Sequence, residues 1–198
     1  MIKHTSHWLF LCFCTLAIAL LLTGCDLFGG GSGTTTPTPT PTTSLTTYTG
    51  GGYTISYPQN WKVQKASNRV TFNDPNGIAY LTIATVTNTN GLIPSSTLLN
   101  ASLEVFKSQA KNYKTVDVPA TTTLAGDTWN QGAATGDIKP SGQSSTANVK
   151  IVVITDNHPA NSPSTQAFEI GYATGTQVFD LANSAYFQPM LQSFKFTS

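Results

Sequence analysis

The hydrophobic positions along the chain change period several times, and each change marks an element. Residues 8–22, Trp8-Leu-Phe-Leu-Cys-Phe-Cys-Thr-Leu-Ala-Ile-Ala-Leu-Leu-Leu22, form an apolar run interrupted only by Thr15. From about Tyr48 the pattern becomes an alternation of aromatic or β-branched residues with polar ones. Tyr53, Ile55 and Tyr57 occupy every second position, the period of a half-buried strand. Pro58-Gln-Asn60 turns the chain, Trp61-Lys-Val63 begins a new strand, and Arg69-Val-Thr-Phe72 is another. Asn73-Asp-Pro-Asn-Gly77 is a turn in which Pro presets φ and Gly accepts a positive one. Ile78 to Thr87 returns as a longer strand, so this half reads as a meander of antiparallel hairpins.

One segment has the other period. Leu99, Leu103, Phe106, Ala110 and Tyr113 recur at spacings of four and three, which places them on one face of a helix started by Pro94 and Ser95-Ser96. Lys107, Lys111 and Lys114 flank that face as its solvated edge. Strands resume at Thr115–Leu124 and Thr128–Ala134, around a turn at Gly126-Asp127. Pro119 predicts an edge position or a break in the first of these. A polar loop, residues 139–145, precedes a strand from Ala147 to Thr155, where Ile151-Val-Val-Ile154 is apolar on both faces. That strand is expected at the centre of the sheet, covered on each side. Thr165–Tyr172 and Thr176–Phe179 read as the last strands. A short helical segment near Asn183–Ser193, interrupted at Pro189, closes the chain. The sum is an α+β domain, an antiparallel β-sheet packed by helices.

The opening Tyr53-Thr-Ile-Ser-Tyr57-Pro58-x-x-Trp61 and the ending Phe187-x-x-Met190-Leu191-x-Ser193-Phe194-x-Phe196 resemble the first strand and the closing helix and strand of PsbP-like proteins. The resemblance spans roughly residues 48–197. It implies a PsbP-like α/β/α sandwich and a history of binding or assembly roles. Its motifs consist of core residues, so it implies no activity and carries over no metal ligand.

The N-terminal run is too short to span a bilayer as a helix, which takes roughly 20 residues, and it matches the export core of a signal peptide. It ends in Leu22-Thr23-Gly24-Cys25, which resembles the lipobox of bacterial lipoproteins: an aliphatic residue, two small ones and the cysteine that is modified. The resemblance implies lipidation of Cys25 and cleavage between Gly24 and Cys25, leaving residues 1–24 as signal peptide. Two acyl chains, at about 0.8 kcal/mol per buried CH₂, meet the condition for stable anchoring on the outer side of a membrane. Residues 25–47 are the expected tether. Gly29-Gly-Gly-Ser-Gly33 is flexible, and the Thr/Pro repeat from Thr34 to Thr43 is a stiffer spacer. Together they hold the domain, residues 48–198, on the order of 30–50 Å from the anchor.

Composition narrows the function classes. Charged residues make up 10% of the chain, against about 25% in ordinary soluble domains. Lys3 is the only charge before Cys25, so the remainder carries nine basic and nine acidic residues and is formally neutral. A neutral chain offers no electrostatic footprint for nucleic acid. The three cysteines are Cys12, Cys14 and Cys25, so the folded part has no thiol for a disulfide, a metal or catalysis. Beyond His4 and His7, the only histidine is His158, in Asp156-Asn-His-Pro159, where it reads as a turn residue. One histidine and no thiol fall short of a four-ligand structural zinc site. No Gly-x-Ser-x-Gly elbow, phosphate-binding glycine loop or calcium loop is present.

Two constellations remain to be tested in three dimensions. Glu104 and Glu169 would serve an enzyme if they met in one cleft, as paired carboxylates do in glycosidases. Trp61, Trp129, Tyr80 and Tyr172 would line a groove for a glycan or peptide, or else form core. The residues support no catalytic, metal or cofactor site. They lead to an expectation of a lipid-anchored extracytoplasmic binding or accessory module of the bacterial cell envelope, engaging a protein partner there. The alternative is a small-ligand or glycan-binding lipoprotein.

Overall fold

The computed structural model describes residues 44–77, 79–139 and 145–197. The expected export core, the Leu22–Cys25 motif and the expected tether up to residue 43 lie outside the described residues. Strand β1 (Leu45–Gly50) pairs with β2 (Tyr53–Pro58), so Leu45–Thr47, expected as the end of the tether, belong to the folded domain. Then come β3 (Lys62–Ala66), β4 (Arg69–Asn73) and β5 (Ala79–Thr87). Helix α1 (Ser95–Gln109) is followed by β6 (Lys111–Val116), β7 (Thr121–Leu124), β8 (Asp127–Ile138), β9 (Ala147–His158) and β10 (Gln166–Gly175). A helical stretch made of α2 (Phe179–Ala182), a wide turn over Asn183–Phe187 and α3 (Gln188–Ser193) leads to the short strand β11 (Lys195–Phe196).

The strands form two antiparallel sheets. The large one has the order β3-β4-β5-β10-β9-β8-β6, with β7 also paired to β8, and the small one has the order β1-β2-β11. Strand β9 is interior, as its two apolar faces require. Val152 and Ile154 enter one core cluster, while Ile151 and Val153 enter the other. The break between β6 and β7 falls at residues 117–120 on the outer flank of β8, where Pro119 cannot donate to a ladder. Gly77 (φ 67°) and Gly126 (φ 90°) take the left-handed conformations their turns need.

Helix α1 covers one face of the large sheet through Leu99, Leu103 and Phe106. It ends earlier than its periodicity suggests. Ala110 is already extended, Tyr113 lies in β6, and Lys111 and Lys114 are strand residues rather than a helix edge. The contact is close because β8 presents glycine there. A Cβ on Gly136 would stand 2.6 Å from the Ala110 Cβ, and one on Gly132 would stand 2.9 Å from Leu103.

The opposite face of the sheet carries the aromatic cluster. Tyr53, Trp61, Phe72, Trp129, Phe168, Tyr172, Phe187 and Phe194 are all buried in it. The residues of both quoted sequence motifs therefore meet in one core. Thr176–Phe179, expected as a strand, is helical instead, because Phe179 and Ala182 turn inward to join this cluster at helical spacing. The wide turn precedes Pro189, which lacks the N–H that would bond back to residue 185. Ser193 Oγ accepts the Ser56 N–H at 2.7 Å, and Thr197 N–H donates to the Gly52 carbonyl at 2.9 Å. These bonds fasten the chain end to the small sheet. The domain is α+β, with helices on both faces of a mostly antiparallel sheet.

Candidate functional site

Of the sequence candidates, the described residues leave the tryptophan groove unsupported. Trp129 is fully enclosed and donates its indole N–H to the Leu124 carbonyl at 3.1 Å. Trp61 packs on Tyr186 and Phe187, and Tyr80 is buried on the α1 face. Tyr172 is buried too, and burial pushes its phenol up to about 12. Strand-period aromatics bury because that surface is their largest contribution to stability.

The two glutamates do not meet. Glu104 is on the solvent side of α1 in an ion pair with Lys107 at 3.0 Å. Glu169 faces α1 from β10, 2% exposed, and accepts the Ser102 hydroxyl at 2.5 Å. Burial pushes its carboxyl up, against the opposing pull of the Ser102 hydrogen bond and the Arg69 charge.

A cleft of about 610 Å³ does open on the aromatic face. Its floor is sheet, with Gln131, Ile154, His158 and Tyr172; the C-terminal stretch covers it through Gln188, Leu191 and Phe196; the β7–β8 turn closes one side. Its size falls in the range of small-molecule sites.

His158 is not a turn residue. It ends β9, and strand geometry gives it two acidic neighbours. Asp156 is two residues back, hence on the same face. The β8–β9 register runs through Asn130 opposite Thr155, and continuing it places Asp127 opposite His158. Cross-strand partners on one face stand about 5 Å apart at Cβ. His158 Nδ1–H donates to Asp127 Oδ2 at 2.6 Å. Ligand-capable atoms of Asp127, Asp156 and His158 all lie within 4.8 Å of one another. Asp156 as a residue is partly exposed, whereas its Oδ2 is enclosed. Its Oδ2 takes no hydrogen bond. Burial, aided by the facing Asp127 carboxylate, pushes the Asp156 carboxyl up, although His158 and the Asn157 N–H pull the other way. Phe196 lies flat over the imidazole, with centroids 3.5 Å apart and planes at 3°.

Sequence reading missed this group because Asp127 and His158 are 31 residues apart. The one available signal was the Asp-x-His spacing on a strand, which places both side chains on one face. Cys25, the predicted lipidation and cleavage position, lies outside the described residues. Among the described residues, no helix is long and apolar enough to cross a membrane.

No protein-family model and no curated protein matches the chain. Among solved structures, the chain is similar to LpqN of Mycobacterium tuberculosis, a protein involved in cell envelope biogenesis. Identity is 15%, coverage 78% of this chain and 91% of that one, and the TM-score 0.46. It is also similar to PA94 of Pseudomonas aeruginosa, a protein of unknown function, with 16% identity, 75% and 94% coverage, and a TM-score of 0.39.

Proposed function

We propose that this chain is a lipid-anchored extracytoplasmic binding or accessory module of the bacterial cell envelope, acting on a protein partner rather than catalysing a reaction. The observation that carries the reading is the order of parts: a short export core, Leu22-Thr23-Gly24-Cys25, a Gly/Ser/Thr/Pro spacer, then a folded domain. An anchor followed by a spacer fixes a domain near a surface while leaving its faces free to meet other molecules. The PsbP-like motifs are consistent with such a role, since they carry packing and no chemistry.

Two measurements test the two halves of this reading. Cys25→Ser is expected to abolish both uptake of labelled fatty acid and processing at that site; normal lipidation of the variant refutes the anchor. Photo-crosslinking in intact cells from Gln192, on the cleft wall, is expected to capture one specific envelope protein. Recovery of bulk envelope proteins alone counts against the partner.

The cleft favours a second reading, a small-ligand or glycan-binding lipoprotein. Its walls now rest on Gln131, His158, Gln188 and Phe196 rather than on tryptophans. Saturation-transfer NMR with envelope glycans is expected to show ligand signals that Gln131→Ala diminishes.

A further inference from the structure

We infer that Asp127, Asp156 and His158 form a site for one divalent transition-metal cation of the zinc or manganese class, at the rim of the cleft. The inference does not depend on the lipid anchor or on a protein partner.

Three observations converge on it. The first is the donor set: one imidazole nitrogen and two carboxylates, all within 4.8 Å. Zinc takes His nitrogen and carboxylate oxygen at roughly 2.0–2.2 Å, so its donors stand roughly 3.3 Å apart. The 2.6 Å His158–Asp127 hydrogen bond would open by less than about an ångström to admit the ion. Imidazole selects zinc and its neighbours over magnesium or calcium, while a pair of carboxylates also suits manganese.

The second observation is the hydrogen-bond deficit. Two carboxylates converge here; the imidazole N–H serves Asp127, and the Asn157 N–H serves Asp156. Asp156 Oδ2 is enclosed and receives none. An enclosed carboxylate oxygen without a donor is costly, and a cation is a partner that would serve both acids together.

The third is preorganisation. Two ligands project from alternate positions of β9 and the third from the facing end of β8, so rigid ladder geometry sets their separation. Phe196 against the imidazole fixes the ring plane, the task that supporting contacts perform in metal sites. The side chains of His158 and Asp127 remain 34% and 39% exposed. Three protein ligands with an open side is the arrangement that leaves a coordination position for water or for a molecule in the cleft.

The test uses the full chain in detergent. Calorimetric titration with Zn²⁺ is expected to show one saturable site, weakened more than about tenfold by Asp156→Asn and by His158→Gln, since even indirect partners of a ligand are worth that much. Absence of saturable binding overturns the proposal. So does binding of unchanged affinity in folded His158→Gln, which would place the ion elsewhere, for example on His4 and His7. An arm without substitutions guards against variants that fail to fold. Mn²⁺ added to the unaltered chain is expected to broaden the His158 imidazole resonances before those of His4 and His7; equal broadening of all three overturns the assignment.

Discussion

The two faces of the large sheet solve the same burial problem with opposite materials. On the α1 face, β8 presents Gly132, Ala134 and Gly136, and the chain settles so near that a methyl group on Gly132 would collide with Leu103 of α1 and one on Gly136 with Ala110 just past its end. On the other face the sheet presents Trp129, Phe168 and Tyr172, and the second layer rests on rings. Small residues let layers close, and large ones hold them apart. A layer held on rings leaves gaps, and the cleft beside His158 is one of them. The acids Glu169 and Asp156 follow the same division. Glu169, under α1, has the Ser102 hydroxyl as donor, while Asp156, toward the cleft, has an oxygen with none.

The comparison can be broken by substitution, beginning on the aromatic face. Trp129→Ala is expected to cost about 3–5 kcal/mol in denaturant unfolding, the range for removing a buried aromatic ring. A loss under about 1 kcal/mol would mean that the layers collapse around the gap and that the rings do not hold them apart. Gly136→Val, on the helix face, is expected to cost about 1–3 kcal/mol by overpacking. Its unfolding curve should shift while the cleft stays intact, which the His158 NMR signals would report. A neutral result would show that α1 is free to lift.

The smallest effect concerns pH. Burial raises the Glu169 carboxyl above its unfolded value, so the native state holds this proton more tightly than the unfolded one. That contribution to stability is complete below the ordinary glutamate range and is lost as pH rises through it toward the raised native value. Glu169→Gln, which cannot titrate, is expected to flatten this part of the stability–pH curve and to gain on the wild type as pH rises. Parallel curves for the two proteins would show that Ser102 and Arg69 fully offset the burial.

Much of the fold was legible in the pattern of residues. The doubly apolar run Ile151–Ile154 located the central strand, Pro119 located the break at the sheet edge, and Leu99, Leu103 and Phe106 located the inward side of α1. The errors share a cause. Helical periodicity continued through Ala110 and Tyr113, but the chain left the helix at Gln109 because those side chains also fit against α1 from a strand. Thr176–Phe179 had strand-like composition, yet Phe179 reached the core from a helix. Local pattern reports that a residue is buried; which backbone buries it depends on the neighbouring layers.

The candidate site was nearly invisible for a related reason. His158 and Asp156 are two residues apart and read as a turn, whereas Asp127 lies 31 residues from His158 and joins them only through the β8–β9 register. Register is a property of paired strands, set over the whole ladder by the apolar face it must bury. Sequence alone determined which segments are apolar, how they alternate, and the N-terminal order of apolar run, Cys25 and Gly/Ser/Thr/Pro segment, because each is local in the chain. The tertiary structure decided which acids face the single histidine of the folded part, which aromatics are sealed, and where the cleft opens. Those outcomes depend on distances between residues far apart in sequence, and only the packed layers set them.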